Sequence, residues 1–192
     1  MKNIYPIMNI EPGSKLDEQL FIKCLAVSPR YIQLRMKGGS DELIAKTASV
    51  MVSIRNSKGS SSKIIVNDSL EAAVLSGADG VHFGQDDLSP LKARALYPGL
   101  VIGWSTHTIE QIIKANAMDI DYIGFGPVFH TATKKMADAV VTELVQRAAE
   151  ISAHEIVFIG GINRNNIEFL PSGDKIFYAL ISGLDEILSG GK

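Results

Sequence analysis

The sequence predicts an α/β protein whose parallel strands close into a compact (β/α)8 barrel of the TIM type, with a short C-terminal helix. Two observations predict this fold. Short apolar runs rich in β-branched residues recur along the chain, and each precedes a stretch whose apolar residues have helical spacing. There are eight such runs, and from Ile4 to Ile176 their starts span 172 residues in seven intervals. The resulting repeat of about 25 residues suits a strand, a loop and a short helix.

The predicted strands and helices alternate along the whole chain. The strands lie at residues 4–8, 31–37, 63–67, 80–84, 101–105, 122–128, 155–160 and 176–181. The helices lie at 15–27, 41–55, 70–76, 90–96, 109–116, 137–152 and 165–170, with only 184–188 left for the eighth. An open doubly wound sheet is the main competitor, but no Gly-x-Gly-x-x-Gly follows the first strand, where that fold places its phosphate loop.

Composition limits the domain count and the partners. The 192 residues are 46% hydrophobic and 21% charged, which predicts one domain over 1–192 with one substantial core. The 19 basic and 21 acidic residues provide no global field, so we expect no nucleic acid or membrane partner and a locally held anion. Apolar runs far shorter than a membrane span and no signal-like N-terminus predict a cytoplasmic protein. Cys24 is expected to be a buried, inert thiol, and a homo-oligomer stays open.

The second predicted strand carries two cations on one face. Its period-two alternation places Gln33, Arg35 and Lys37 on one side and Ile32, Leu34 and Met36 on the other. The apolar side must meet the helices, so the polar side faces the barrel mouth, where barrel active sites lie. Two adjacent cations in a closed fold predict a bound anion. A salt-bridged structural pair is the alternative.

Carboxylates end the third and fourth predicted strands. Asp68 follows one strand and Asp87 lies just after the next. Neighbouring parallel strands are about 4.8 Å apart, so the two side chains could share Mg²⁺, which prefers oxygen ligands. Helix N-caps are the alternative. Cations beside a carboxylate-held metal are a typical way to hold a diphosphate.

The remaining strand ends add groups suited to phosphate. Ser105 shares the inward parity with Gly103 and can donate to a phosphate oxygen, whereas Thr108 is equally suited to capping a helix. The loop at 129–135 is rich in hydroxyls and cations and could close over an anionic substrate, or could be a merely solvated basic loop. Gly160 and Gly161 would let backbone N–H groups approach a phosphate.

Seven motifs in register resemble the thiamine phosphate synthase family, also called thiamine-phosphate pyrophosphorylase. Members carry Gln-x-Arg-x-Lys, Asn-Asp, Gly-Val-His-x-Gly-Gln-x-Asp, Gly-x-Ser-x-His-Thr, Tyr-x-Gly-x-Gly-Pro-x-x-x-Thr-x-Thr-Lys-Lys, Gly-Gly-Ile and Ile-Ser. This chain has them in order at 33–37, 67–68, 80–87, 103–108, 122–135, 160–162 and 181–182. The resemblance covers most of the chain.

The resemblance implies a (β/α)8 transferase of thiamine biosynthesis. It would join hydroxymethylpyrimidine diphosphate to hydroxyethylthiazole phosphate, giving thiamine phosphate and pyrophosphate. In the family the diphosphate is thought to leave first, and the thiazole nitrogen then captures the pyrimidine-methyl cation. The implied roles are Mg²⁺ binding by Asp68 and Asp87, aminopyrimidine binding by Gln33, and diphosphate binding by Arg35, Lys37, Asn67, Ser105 and Lys134. Thr131, Thr133, Gly161, Ile181 and Ser182 would hold the thiazole phosphate.

The chain departs from the family pattern at four places. Met36 and Trp104 replace other residues at positions that parity directs toward the helices, so we expect the site to tolerate them. His130 stands at a usual proline position in the loop and is expected to alter its closure. The segment 171–175 lacks the usual Gly-Ala-Asp-Gly run, and we expect this departure to bear on the thiazole-phosphate end of the site.

Two alternative functions remain on the same fold. A thiazole tautomerase would bind a thiazole phosphate without the metal pair and would need a proton-transfer residue, for which His107 is the candidate. A non-catalytic thiamine-phosphate-binding protein would keep the anion contacts alone. Asp68 and Asp87 argue against both, since two carboxylates without a metal would repel a diphosphate.

Overall fold

The eight strands close into one barrel. The computed structural model describes residues 3–129 and 139–188. Each strand pairs in parallel with the next along the chain, and the eighth pairs with the first, for example Tyr5 with Ala179. This closure confirms the predicted barrel over the open sheet.

The strands and helices lie close to their predicted positions. The strands are β1 (Ile4–Asn9), β2 (Tyr31–Arg35), β3 (Lys63–Asn67), β4 (Gly80–Phe83), β5 (Val101–Thr106), β6 (Tyr122–Phe125), β7 (Glu155–Phe158) and β8 (Ile176–Leu180). The helices are α1 (Glu18–Ala26), α2 (Asp41–Ser57), α3 (Leu70–Ser76), α4 (Pro90–Leu96), α5 (Ile109–Ala115), α6 (Ala139–Ile151) and α7 (Leu184–Leu188). None of the helices in the described ranges combines the length and the apolar character that a membrane span requires.

Side-chain caps fix where several helices begin. Thr108 caps α5 by accepting from the Gln111 backbone N–H, so the capping interpretation of this threonine is confirmed. Such caps satisfy backbone donors that the first turn of a helix leaves without partners. The other side-chain caps are Asp17 for α1, Ser40 for α2 and Ser69 for α3.

The helix predicted at 165–170 is wrong. Only a short 3-10 turn, Ile167–Phe169, forms there. Asparagine side chains compete for the backbone: Asn166 Oδ1 accepts from Asn163 N at 2.8 Å, and Asn163 Oδ1 accepts from Asn165 N at 2.9 Å. These local bonds offer the chain an alternative to a helix.

Strand parity divides the buried residues into two cores. Outside the barrel wall, Met36 and Trp104 are each 4% exposed and pack among the helices, as their parity predicts. Inside the barrel, Tyr5, Tyr31 and Tyr122 form a second cluster with their rings in contact. The inner cluster fills the barrel interior below the C-terminal ends of the strands and closes the bottom of any cavity at the mouth.

The predicted inert thiol is also confirmed. Cys24 is buried between α1 and the barrel wall. Burial raises the pKa of its thiol to about 12. Since the thiolate is the nucleophilic form, this residue acts as a small apolar side chain.

The predicted second strand is two residues too long. β2 ends at Arg35, and the Gly39 N–H donates to the Met36 carbonyl at 3.2 Å to form a turn. Gly38 makes this turn possible because its φ of +78° is in the left-handed region that favours glycine. Lys37 therefore lies in the turn, exposed, beyond the end of the strand.

The departure at 171–175 does not lie beside the thiazole-phosphate end, and that expectation is wrong. The segment precedes β8, so it lies at the N-terminal end of the barrel. There the Gly173 carbonyl accepts from Asn3 Nδ2 at 3.2 Å, and Asp174 lines a surface hollow with Phe177. The residues at this end of a barrel concern stability, which explains why a family motif can change here.

Candidate active site

A cavity of about 280 Å³ opens at the C-terminal ends of the strands. A larger hollow of about 540 Å³ lies at the opposite end, lined by Arg30 and Lys63 among others. Position favours the smaller cavity, because the strand C-termini carry the active sites of this fold. Five predicted site residues line it: Gln33, Arg35, Asn67, Ser105 and Ile181.

Arg35 lines the cavity, and Lys37 lies in the exposed turn just beyond the end of β2. Arg35 donates to Asn9 Oδ1 at 2.6 Å, so a neutral amide orients the guanidinium from the neighbouring strand β1. Within 3–129 and 139–188 neither cation forms an ion pair, although both act on Asp68 through their charge. This arrangement favours a bound anion over the salt-bridged alternative.

The carboxyl groups of Asp68 and Asp87 lie within hydrogen-bonding reach of each other. Asp68 has a φ of +66°, which bends the end of β3, and its N–H donates to the His82 carbonyl of β4 at 2.8 Å. Aspartate is among the residues that tolerate this conformation best. Asp87 is held from the other side, accepting from the Gly84 N–H at 2.6 Å.

The electrostatics of this pair fit a divalent cation. Burial and the neighbouring Asp87 carboxylate raise the pKa of Asp68 to about 6, against the opposing effect of Arg35 and Lys37. A divalent cation would relieve the repulsion between the two carboxylates. In the described part of the chain no group of three or more His, Cys, Asp or Glu side chains suits a metal. Two carboxylates with water and phosphate oxygens is the ligand set that Mg²⁺ commonly uses.

Three buried residues at the bottom of the cavity were missed by the sequence reasoning: Tyr5, His82 and Tyr122. The Tyr122 hydroxyl lies 3.1 Å from His82 Nδ1 and 2.7 Å from the Tyr5 hydroxyl, and His82 Nε2 lies 2.9 Å from Ser105 Oγ. Burial lowers the pKa of His82 to about 4 and raises that of Tyr122, so both are neutral near pH 7. The parity rule applied to β2 also directs these side chains inward and could have found them.

Gly103 makes room for this cluster. A Cβ at Gly103 would overlap the Tyr122 ring and lie 2.5 Å from His82 Nδ1. The glycine of the Gly-x-Ser motif thus has a packing role two residues before Ser105.

Three of the five predicted thiazole-phosphate residues, Gly161, Ile181 and Ser182, lie just after the neighbouring strands β7 and β8. Gly161 has a φ of +62°, and a Cβ there would lie 2.8 Å from the Phe129 carbonyl oxygen, so both conformation and space require glycine. Gly183, after Ile181 and Ser182, packs beside Asn163 of the loop that follows β7, at 3.7 Å for a Cβ. Ile181 and Ser182 are exposed, as a binding rim requires.

Three predicted site residues lie outside the described residues: Thr131, Thr133 and Lys134. The same holds for His130 and for the predicted loop closure.

His107, the candidate proton-transfer residue, lies at the cavity rim and its Nδ1 is 2.6 Å from the Gly126 carbonyl oxygen. That contact requires a proton on Nδ1, which donates to the carbonyl.

Known proteins share both the sequence pattern and the fold. The family model described as thiamine monophosphate synthase matches residues 4–184. The thiamine-phosphate synthase of Persephonella marina is 46% identical over 111 residues, 57% of this chain and 53% of that protein. That of Chlorobium luteolum is 34% identical over 180 residues, 93% of this chain and 83% of that protein.

The solved structure titled thiamine phosphate pyrophosphorylase from Pyrococcus furiosus superimposes with a TM-score of 0.76 at 22% identity, covering 97% of this chain and 93% of that one, which shows the shared fold. The chain spans about half the length of several curated relatives that it matches, 53% and 50% in two cases. The match over residues 4–184 and the 34% identity over most of both chains show that this chain belongs to the thiamine monophosphate synthase family.

Proposed function

We propose that this chain is a Mg²⁺-dependent transferase that joins hydroxymethylpyrimidine diphosphate to hydroxyethylthiazole phosphate, forming thiamine phosphate and pyrophosphate. The observation that carries the proposal is the juxtaposition of unpaired cations with paired carboxylates at the barrel mouth. Named relatives of the same family support the choice of substrates.

The depth of each residue suggests how the first substrate lies. Gln33 is 4% exposed and sits below Arg35 on the same strand face. Its amide nitrogen donates to the Tyr5 hydroxyl at 3.2 Å, so its amide oxygen is left to accept from the pyrimidine amino group. The ring would then lie deep in the cavity, with the diphosphate toward Arg35, Lys37, Asn67 and Ser105 at the mouth.

The reaction needs charge stabilisation more than proton transfer. The bond from the pyrimidine methylene carbon to the diphosphate oxygen breaks with its electron pair leaving on oxygen, and the thiazole nitrogen lone pair then forms the new bond to that carbon. Neither step needs a base. Arg35, Lys37 and the Ser105 hydroxyl would stabilise the departing charge, and Mg²⁺ held by Asp68 and Asp87 would supply further neutralisation.

The test is a reaction of the purified chain with both substrates and Mg²⁺, in which thiamine phosphate is identified by mass. We expect product only when both substrates are present, and its loss when EDTA replaces Mg²⁺. A folded chain that makes no thiamine phosphate contradicts the proposed activity. Undiminished turnover in EDTA contradicts the metal assignment alone.

A further inference from the structure

A continuous hydrogen-bond chain crosses the barrel interior from Gln33 to Ser105. Gln33 Nε2 lies 3.2 Å from the Tyr5 hydroxyl, which lies 2.7 Å from the Tyr122 hydroxyl. Tyr122 continues to His82 Nδ1 at 3.1 Å, and His82 Nε2 ends the chain at Ser105 Oγ, 2.9 Å away. The chain thus links two residues to which the proposed function gives substrate contacts.

The direction of donation along this chain follows from counting protons. The Gln33 amide nitrogen only donates, so the Tyr5 oxygen accepts from it. Tyr5 is 1% exposed, and Tyr122 is its other hydrogen-bond partner in the described residues, so Tyr5 donates to Tyr122. Tyr122 is fully buried and in turn donates to His82 Nδ1. The neutral imidazole must then carry its proton on Nε2 and donate it to Ser105 Oγ.

We propose that His82 is a positioning residue for the transfer reaction, one that holds Ser105 Oγ as an acceptor and so directs the Ser105 hydroxyl proton toward the leaving diphosphate. The inference rests on the proposed function for the identity of the anion. If Ser105 Oγ accepted no hydrogen bond, the hydroxyl group could rotate and donate its proton to His82 instead. Because Oγ already accepts from Nε2–H, the proton is left to point into the cavity, which Arg35 also lines.

The residues around His82 and Ser105 favour this one hydrogen-bond arrangement. Space beside the His82 ring is left by Gly103 and Gly124, where a Cβ would lie 2.5 Å from Nδ1 and 3.2 Å from Cε1. Gln85 Nε2 donates to the Ser105 carbonyl and fixes the backbone of the same residue. Locked donors in a preorganised site need no reorganisation when negative charge develops on the leaving group.

The first test reads the tautomer in the wild-type chain by ¹⁵N NMR of labelled histidine. The chain has 4 histidines, and single Gln variants of each assign the signals. We expect His82 to show a bare Nδ1 and a protonated Nε2. A proton on Nδ1 would mean that Ser105 donates to His82, and it overturns the proposal. If His82→Gln does not fold, the other three variants assign the signal by elimination.

The second test is a double-mutant cycle on kcat/KM for the pyrimidine diphosphate and on the Kd of Mg²⁺-pyrophosphate. We expect His82→Leu to lower both affinity and kcat/KM about tenfold, the effect of one misdirected hydrogen bond, and His82→Gln to recover part of the loss through its amide N–H. In a Ser105→Ala background His82→Leu should cost nothing more. The matched control is His154→Leu, since His154 contacts the Ala115 carbonyl far from the mouth.

The outcomes separate this inference from the proposed function. If the wild type makes no thiamine phosphate, the proposed function fails. The tautomer of His82 and the affinity of the variants for Mg²⁺-pyrophosphate then still test the role of His82. If the wild type is active but the losses of His82→Leu and Ser105→Ala multiply in the double variant, the proposed function stands. His82 then acts independently of Ser105, and the positioning role is overturned.

Discussion

At the level of single residues, the mouth of the barrel brings two carboxyl groups close together beside two basic side chains. Asp68 and Asp87 face one another across β3 and β4, and Arg35 and Lys37 stand beside them without ion pairs within the described residues. The repulsion between the two carboxylates costs free energy, and the nearby basic side chains offset only part of it. The arrangement becomes favourable when a cation joins the carboxylates and an anion joins the basic side chains, which is the combination that the proposed reaction brings.

Replacing one carboxylate should separate activity from stability. We predict that Asp68→Asn lowers Mg²⁺-dependent pyrophosphate release about 100-fold or more, because the metal loses a charged ligand. The melting temperature without metal should stay equal or rise, since the variant removes repulsion and Asn also tolerates the positive φ. Initial rates and thermal melts measure the two effects.

Asp86→Asn is the matched control for this prediction. It removes the same charge one residue from Asp87 in an exposed part of the loop, and turnover should be unchanged. Unchanged turnover in Asp68→Asn itself would contradict the metal assignment.

Arg35 provides the complementary prediction. We expect Arg35→Ala to lower kcat/KM about 100-fold through loss of a charge-assisted contact to the diphosphate, while the melting temperature changes little. Arg55→Ala is the contrasting control. Arg55 donates to the Ser62 carbonyl at 3.0 Å and to Asp79 at 2.8 Å, so its loss should cost about 1–3 kcal/mol of stability and leave turnover intact. A large drop in the melting temperature of Arg35→Ala would show that Arg35 is structural.

At the level of elements, the eight strands follow from the short apolar runs, rich in β-branched residues, that recur along the chain. Alternation within a strand then places Gln33, Arg35 and Ser105 at the cavity. Strand ends are harder to predict. β2, for example, ends before a turn at Gly38, and the alternation of side chains gives no sign of that turn. The role of His82 depends on Tyr122, 40 residues away, and on Ser105, 23 residues away. Only the closed barrel brings these partners together.

Gly103 tests how tightly β5 fits against its neighbours. We predict that Gly103→Ala lowers the free energy of unfolding by about 1–3 kcal/mol, since the added Cβ must displace Tyr122 and His82. Activity of the remaining folded protein should also fall, because Ser105 loses its partner. Denaturant unfolding measures the first effect.

Gly99→Ala makes the same substitution in open space, with nothing within 4 Å of the added Cβ, and should change neither property. Equal stability of the Gly103 and Gly99 variants would contradict the close packing described for the barrel interior.

At the level of the whole molecule, the two ends of the barrel have separate tasks. The N-terminal end carries ion pairs such as Arg55 with Asp79, whereas Arg35 and Lys37 at the C-terminal end form no ion pair within the described residues. With a formal net charge of −2, the molecule has no overall attraction for anions. Binding must then depend on the local field at the mouth.

The pH dependence of global stability should report the buried imidazole. The His82 pKa is about 4 in the folded chain and 6.5 as its ordinary value, so the unfolded chain binds more protons between these values. Stability from this group is full above pH 6.5 and is lost as the pH falls toward 4. We predict that the wild type loses on the order of 3 kcal/mol more than His82→Gln between pH 7 and pH 4.

The other ionisable groups near His82 are the same in both proteins, so their contributions to stability cancel in this comparison. Asp87 acts on His82 through its charge, Asp68 contacts its carbonyl, and Tyr122 and Tyr5 stay protonated throughout this range. Parallel unfolding curves for wild type and His82→Gln across the whole range would contradict a neutral, buried His82.

The most direct measurement of the central claim counts both products of one reaction. Thiamine phosphate and pyrophosphate are quantified together as the wild-type chain turns over the pyrimidine diphosphate and the thiazole phosphate, with Mg²⁺ and with EDTA. The predicted result is one pyrophosphate for each thiamine phosphate, with both lost in EDTA. Pyrophosphate released without thiamine phosphate, or neither product from a folded chain with Mg²⁺ present, would contradict the assignment of this barrel mouth as the site of transfer.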